Sequence, residues 1–480
     1  MTLQSTSPLP PVNAKRVLFV SYAFPPVGGA GVQRVAKFVK YLPRVGWMPS
    51  VLTVSNPSVP VMDQSLADDI PEGVAIFKAR TLEPGYAMKA VVSAARTGEG
   101  GGDPKRWKSR MLSGIKRLCL RVANLVLQPD PQVLWMPAAL REGLRVLRSS
   151  PYDAIVATAP PFSAFLTGAI LGRRTGVPLV LDYRDEWGIS NASLENRQPG
   201  RVSKWVQKRM QNWAVRHSKL LLATTQASAH ALRDVVVMAG SRARVECIYN
   251  GFDPDDLRDE RVAHPSKSAH MGENSAETGT YRLAYVGTLF SLTSIEPVVN
   301  AIDEMSKTRP DLAARLELVF AGRRTGPQEQ ILDRLAKLPC RLIRLPYVTH
   351  AEATQLVRSA DGVLALLSDV PGAERVVPAK VFEYMAARRQ IIAVAPRGEL
   401  WDILKEYPAA NCLLPGDMNS IADALAHAIE NCGNGQSEGL RNWNPTAYSR
   451  PAQAERMGQL LQSIAPSGLP DKNVNFLPIE

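Results

Sequence analysis

Short β-branched apolar runs alternate with amphipathic stretches along most of the chain, and the alternation comes in two sets. The first set opens with RVLFVS (16–21). It passes through YAFPPVGGAG into a helical stripe, Val32, Val35, Ala36, Val39 and Leu42, at i, i+3, i+4, i+7 and i+10. Pro43 and Gly46 close that helix, and SVLTV (50–54) reads as the next strand. Strands are predicted again at AIVAT (154–158), PLVLDY (178–183), LLLAT (220–224) and VECIYNGFD (245–253), with helices near 162–174 and 226–238. The second set has strands at YRLAYVGT (281–288), LELVFAG (316–322), CRLIRLPYV (340–348), GVLALL (362–367) and QIIAVAP (390–396). Strand–helix–strand repetition predicts an α/β chain with two doubly wound, Rossmann-like domains facing across a cleft.

The predicted boundaries follow from composition. Residues 1–14 are polar and Pro-rich and are expected to be disordered, with no leader peptide. The first domain runs over 15–258, and the second over 281–440. Between them, 259–280 has almost no large apolar side chains and reads as a polar linker or loop. A last helix is expected within 441–463, with Ser449 as N-cap and Pro451 in its first turn, packing back toward the first domain; 464–480 reads as a loose tail.

Composition narrows the chemistry. The 480 residues, 45% hydrophobic and 21% charged, exclude bulk disorder. Five scattered cysteines without a CxxC exclude a disulfide framework and fit a reducing compartment. The uncharged stretch 154–171 nearly reaches membrane-spanning length, but Pro160 and Pro161 split it into a strand and a helix. The net charge of +12 points to an anionic partner without choosing among phosphorylated substrate, nucleic acid and acidic membrane.

Gly28, Gly29 and Gly31 lie between the first strand and the first helix, where backbone can approach a bound group and helix amides face an anion; with Arg34 they form a candidate acceptor or phosphate loop. GAGVQR lacks the third glycine of a dinucleotide fingerprint, since Arg34 stands there, so nicotinamide binding is not indicated. The competing reading is a tight turn that binds nothing.

SYAFPPVGGAGVQRVAKFVKYLPRVGW, QPDPQVLWMPAAL, PLVLDYRDEW, CIYNGFD, YVGTLF, ADGVLALL and PAKVFEYMA occur in this order over roughly residues 15–463. In these strings the chain resembles GT-B glycosyltransferases of family four, in their bacterial cell-surface polysaccharide branch. The resemblance implies a nucleotide-sugar donor site in the second domain, an acceptor site in the first, and transfer with retention at the anomeric carbon. It implies that no protein nucleophile is needed. The residue chemistry fits the donor side. Lys380 is a compact cation for a phosphate, and Glu383, three residues on along a helix, can accept from both ribose hydroxyls. Gly287 and Thr288 end the first strand of the second domain, where the family approaches the donor phosphates. Arg323 ends another strand and can grip a phosphate with two N–H groups.

The sequence departs from the family in two places. Many members carry two glutamates eight residues apart, the first near the sugar; counting back from Glu383 gives Arg375, with Glu374 one position off. Either Glu374 takes the sugar-facing role through a loop shift, or Arg375 lends charge to the diphosphate. A His-Asp pair common in the family is replaced by Arg184-Asp185, which are expected at the cleft and, with Glu374, are the candidate catalytic residues. The first histidine is His217, so a histidine on the acceptor wall is excluded by this count. Asp253-Pro254-Asp255 could hold a metal in another glycosyltransferase fold; here turn and capping roles explain it, and no metal or other cofactor is expected.

Over 105–126, Trp107, Met111, Ile115, Leu118, Val122, Leu125 and Val126 gather on one side of a helical wheel, opposite mainly basic residues. The pattern fits either an anionic membrane surface or packing on the protein. It supports a cytoplasmic protein peripheral to the inner face of the cell membrane, acting on a lipid-linked glycan. Two alternatives remain: a GT-B sugar-nucleotide epimerase, which would need acidic and histidine groups, and a nucleic-acid-binding protein. With 6% aromatics and dispersed basic residues, no nucleic-acid partner is expected.

Overall fold

The computed structural model describes residues 14–59, 61–85, 127–187, 200–258, 279–432 and 438–465. Most of 1–14, 259–280 and 464–480, and all of 105–126, lie outside the described residues.

The first domain is a seven-stranded sheet of β1 (Lys15–Val20), β2 (Trp47–Val54), β3 (Ala75–Ala79), β4 (Ala154–Ala159), β5 (Leu179–Tyr183), β6 (Leu220–Ala223) and β7 (Arg244–Cys247). Every pairing is parallel, in the order β3-β2-β1-β4-β5-β6-β7. Its helices are α1 (Ala30–Tyr41), α2 (Met136–Ser149), α3 (Ser163–Thr175), α4 (Arg201–Arg216), α5 (Gln226–Ala239) and α6 (Pro254–Arg258). The second domain repeats the plan with β8 (Tyr281–Val286), β9 (Leu316–Ala321), β10 (Arg341–Leu345), β11 (Gly362–Leu366), β12 (Gln390–Val394) and β13 (Ala410–Leu413), parallel in the order β10-β9-β8-β11-β12-β13. Around it run α7 (Glu296–Thr308), α8 (Pro310–Ala314), α9 (Gly326–Asp333), α10 (His350–Ser359), α11 (Lys380–Ala386), α12 (Glu399–Leu404) and α13 (Met418–Glu430), then α14 (Glu438–Asn442) and α15 (Arg450–Ile464).

Helices cover both sheet faces, which is why the strands read as unbroken apolar runs. In β1, Leu18 and Val20 enter one core, while Val17 and Phe19 enter the other, as the two-residue period demands. That second core is completed from the far end of the chain: Ala454, Met457, Leu460 and Leu461 of α15 pack against Val17, Phe19 and Phe38. Ser449 caps α15, its side chain accepting from Ala452 N–H. The charge-free stretch 154–171 is strand β4 followed by part of α3, and among the described residues no helix is long and apolar enough to cross a membrane. The short strands β3 and β13 are sheet edges, incompletely buried, and so leave no apolar run to read.

The chain's two passages between domains lie side by side. Phe252 N–H donates to Tyr448 O (3.2 Å) and Arg450 N–H donates to Phe252 O (2.8 Å). This seam puts the carboxyl ends of both sets of strands on one cleft, where open α/β sheets place their ligands.

Candidate active site

The cleft encloses about 570 Å³. Its second-domain wall is built on two glycine turns. Gly287 follows β8 with φ +140°, Gly322 follows β9 with φ +134°, and a Cβ on Gly322 would come within 2.2 Å of Gly287 O. Only glycine allows these turns to nest. Lys380, the first residue of α11, lies over them: its Nζ donates to Val286 O (3.1 Å) and sits 3.5 Å from the centre of the Tyr285 ring. No carboxylate forms an ion pair with Lys380 among the described residues. Burial among the cleft walls pushes its pKa down to about 7, with the charge of Glu383 opposing the shift. Glu383 lines the same cleft, and its carboxylate makes no hydrogen bond among the described residues; burial raises its pKa. Thr288 and Arg323 also line this wall. Arg324 is committed to the fold, donating to Glu329 (2.6 Å), Gly322 O (3.0 Å) and Leu345 O (2.7 Å).

The first-domain wall holds Gly29, Gly31, Arg184 and Asp185. Gly29, with φ +114°, is the N-cap of α1, and no side chain caps that end. Arg184 packs on Gly31, where a Cβ would meet its Nη1 at 2.6 Å, and it donates to the carbonyls of Gly31, Pro160 and Ala159.

Three expectations are corrected. Arg34 borders the cleft, but its charge is committed within the first domain: its guanidinium is buried on Asp182 (2.9 Å from Nη2 to Oδ1) and on the carbonyls of Ile248 (3.0 Å) and Tyr249 (3.1 Å). Glu374 does not line the cleft, because Gly372 N–H (2.9 Å) and Arg375 Nη1 (2.8 Å) capture its carboxylate. Gly28 also stands back from the cleft, against Val61 and Tyr347. Arg375 does line the cleft, but its charge is matched by Glu374 and, across the cleft, by Glu186.

Sequence reasoning missed Glu186 and His350. His350 is the first residue of α10 and reaches the cleft from the second domain, where a count along the first domain could not find it. Its Nδ1 meets Gln33 Nε2 (2.9 Å) and its Nε2 meets Asp256 (2.9 Å). Burial acts to lower its pKa, but the Asp256 hydrogen bond and the Glu383 charge prevail and raise it. A second interdomain tie is Glu399, which accepts from Gln226 N–H and Ala227 N–H (both 2.6 Å) at the start of α5, where a helix favours negative charge.

The Asp253-Pro254-Asp255 segment has a defined place. Asp253 accepts from Asp255 N–H (3.0 Å) at the start of α6. Asp69, Asp253 and Asp256 lie close enough together to share an ion. Lys37 Nζ occupies the space among them, 2.5, 2.7 and 2.9 Å from the three carboxylates. Burial acts to raise the Asp253 pKa, but Lys37, Lys40 and Tyr41 hold it well below the usual carboxylate range.

Two facing parallel sheets with a shared cleft and a returning C-terminal helix define the GT-B class. The fold matches solved structures at low identity. Anabaena Alr3699/HepE, in complex with UDP and glucose, is 16% identical with a TM-score of 0.54, over 94% of this chain and 100% of that one. The UDP-forming α,α-trehalose-phosphate synthase of Burkholderia xenovorans, in complex with glucose-6-phosphate, is 12% identical with a TM-score of 0.61, over 93% and 100%. The catalytic domain of Arabidopsis thaliana starch synthase IV, bound to ADP and acarbose, is 11% identical with a TM-score of 0.59, over 94% and 99%. No curated protein sequence matches. The chain has the GT-B fold, and its residues 28–251 are similar to the glycosyl transferase 4-like domain, whose family model they match.

Proposed function

We propose that the protein transfers a sugar, with retention, from a nucleotide-sugar donor held on the second-domain wall to a glycan held on the first. The observation that carries this reading is the pairing on α11. Among the described residues Lys380 is a cation without a carboxylate partner, and Glu383 is a carboxylate without a hydrogen-bond donor; both face one cleft beside the nested glycine turns. A diphosphate and a ribose diol supply the partners these two groups lack. Retention needs no protein base in this reading: the departing diphosphate takes the acceptor proton, and fixed positive groups stabilise it as it leaves. Asp185 and Arg184 border the acceptor side, and no step requires a metal. HepE, bound to UDP and glucose, supports a nucleotide sugar as the donor class. The epimerase alternative gains no open histidine from the cleft, since both ring nitrogens of His350 are engaged.

The donor assignment is tested by thermal stabilisation with UDP, GDP and ADP against a DNA control, followed by hydrolysis of a nucleotide-sugar panel. One nucleoside diphosphate should stabilise the protein, and DNA should not. Glu383→Ala should weaken that nucleotide by about 10- to 100-fold, the scale of hydrogen bonds to a charged group, while leaving the unfolding midpoint in place. Undiminished affinity in this variant would remove Glu383 from the donor site.

The acceptor in this reading is lipid-linked, in cell-surface polysaccharide synthesis, with the enzyme on the cytoplasmic face of the membrane. The amphipathic pattern of 105–126 supports that placement. The full chain should sediment with vesicles rich in anionic lipid at low salt and be released as salt rises. Equal sedimentation with neutral vesicles would argue against it.

A further inference from the structure

We infer that Glu186, held in place by Arg375, recognises the hydroxyls of the transferred sugar. This inference rests on the nucleotide-sugar reading above and deepens it. Glu186 follows β5 on the first-domain wall, and Arg375 lies five residues before Lys380 on the second. The contact between them is two-pronged, Nε to Oε1 at 2.8 Å and Nη2 to Oε2 at 3.0 Å. Ser228 Oγ adds a third donor to Oε1 at 2.7 Å. Arg375 is itself fixed from the first domain, since its carbonyl accepts from Thr225 Oγ1 (2.8 Å).

Position gives the first argument. The transferred sugar is bonded to the diphosphate and attacked from the acceptor side, so it must lie between the Lys380 turn and the Arg184–Asp185 wall. Glu186 is the residue after Asp185, and it meets the segment that leads into Lys380. Glu374, the carboxylate expected near the sugar, is turned out of the cleft.

Energetics gives the second. The pair is partly exposed, 29% for Arg375 and 14% for Glu186, and such pairs contribute little stability. Three donors from two domains nevertheless orient one carboxylate. Oε2 accepts a single bond and keeps capacity for a hydroxyl. A fixed acceptor of this kind discriminates between epimers, because the wrong epimer leaves it without a donor. Arg375 also neutralises the carboxylate, which suits recognition better than nucleophilic attack. Arg375 is the positioning residue, and Glu186 is the group that meets substrate.

The test uses the full chain and the nucleoside diphosphate that stabilises the wild type. Glu186→Gln should keep affinity for that sugar-free nucleotide within about twofold, lower kcat/KM for the preferred sugar by about 10- to 100-fold, and narrow the preference between epimeric sugars. The exchange Glu186→Arg with Arg375→Glu rebuilds the ion pair in reverse. It should recover the unfolding midpoint lost in Arg375→Glu alone while transfer stays lost. Recovery of transfer by the exchange, or an unaltered epimer preference in Glu186→Gln, would overturn the inference and leave a simple tie between domains. If the wild type binds none of the nucleoside diphosphates, the donor reading itself fails, and this inference falls with it.

Discussion

Lys380→Met should lower kcat by about 100- to 1,000-fold, the scale of removing one preorganised group from a developing negative charge, and should leave the fold intact. The side chain is held over Tyr285 and on the Val286 carbonyl. Among the described residues no carboxylate has to be displaced before Lys380 meets a phosphate. In the transition state the diphosphate gains charge as the glycosidic bond breaks, so the interaction strengthens there and appears in kcat as well as in KM. The depressed pKa adds a pH signature. Near pH 7 the free enzyme holds Lys380 about half protonated, and a bound diphosphate favours the charged form. Affinity for a nucleotide sugar, whose diphosphate does not titrate in this range, should be full below pH 7. It should fall about tenfold per pH unit above that, until the pKa of the complex is reached. Binding isotherms from pH 6 to 9 give the slope. Lys380→Met should bind weakly with no such slope; an equal slope in the variant would assign the titration to another group.

The sequence disclosed local relations and concealed relations made between domains. Lys380 and Glu383 are three residues apart on one helix, so their common face follows from helical spacing alone. The parallel sheets were legible because strands buried on both faces are apolar without interruption. Glu374 misled because the competing donors are a backbone N–H at Gly372 and the neighbouring Arg375, neither of which a motif encodes. Glu186 lies within PLVLDYRDEW and His350 in none of the quoted strings, but neither string nor spacing gives their partners; their roles arise where one domain meets the other, through Arg375 and through Gln33 and Asp256. Arg34 was misassigned for a different reason, separation along the chain within one domain. Its place in the glycine-rich loop suggested a ligand, while its true partner is 148 positions away in β5.

That partner makes Arg34→Met the substitution with the largest expected loss of stability. Removing one member of a buried ion pair leaves the other charged and uncompensated, at a cost of about 3–5 kcal/mol. For a domain of this size that corresponds to a fall in midpoint of about 6–20 °C. Among the described residues Asp182 would retain only Thr158 Oγ1 (3.0 Å) as a side-chain donor, in a site where both members of the pair are 1% exposed. The double variant Arg34→Met with Asp182→Leu removes the stranded charge and should recover part of the loss. Recovery should be incomplete, because Arg34 also donates to the carbonyls of Ile248 and Tyr249 at the end of the first domain, and each acceptor left without a donor costs about 1–3 kcal/mol. Thermal and urea midpoints for the two single variants and the double variant test the cycle. A midpoint for Arg34→Met within about 2 °C of wild type would show that Asp182 is satisfied by other means. Full recovery in the double variant would show that the Ile248 and Tyr249 carbonyls do not depend on Arg34.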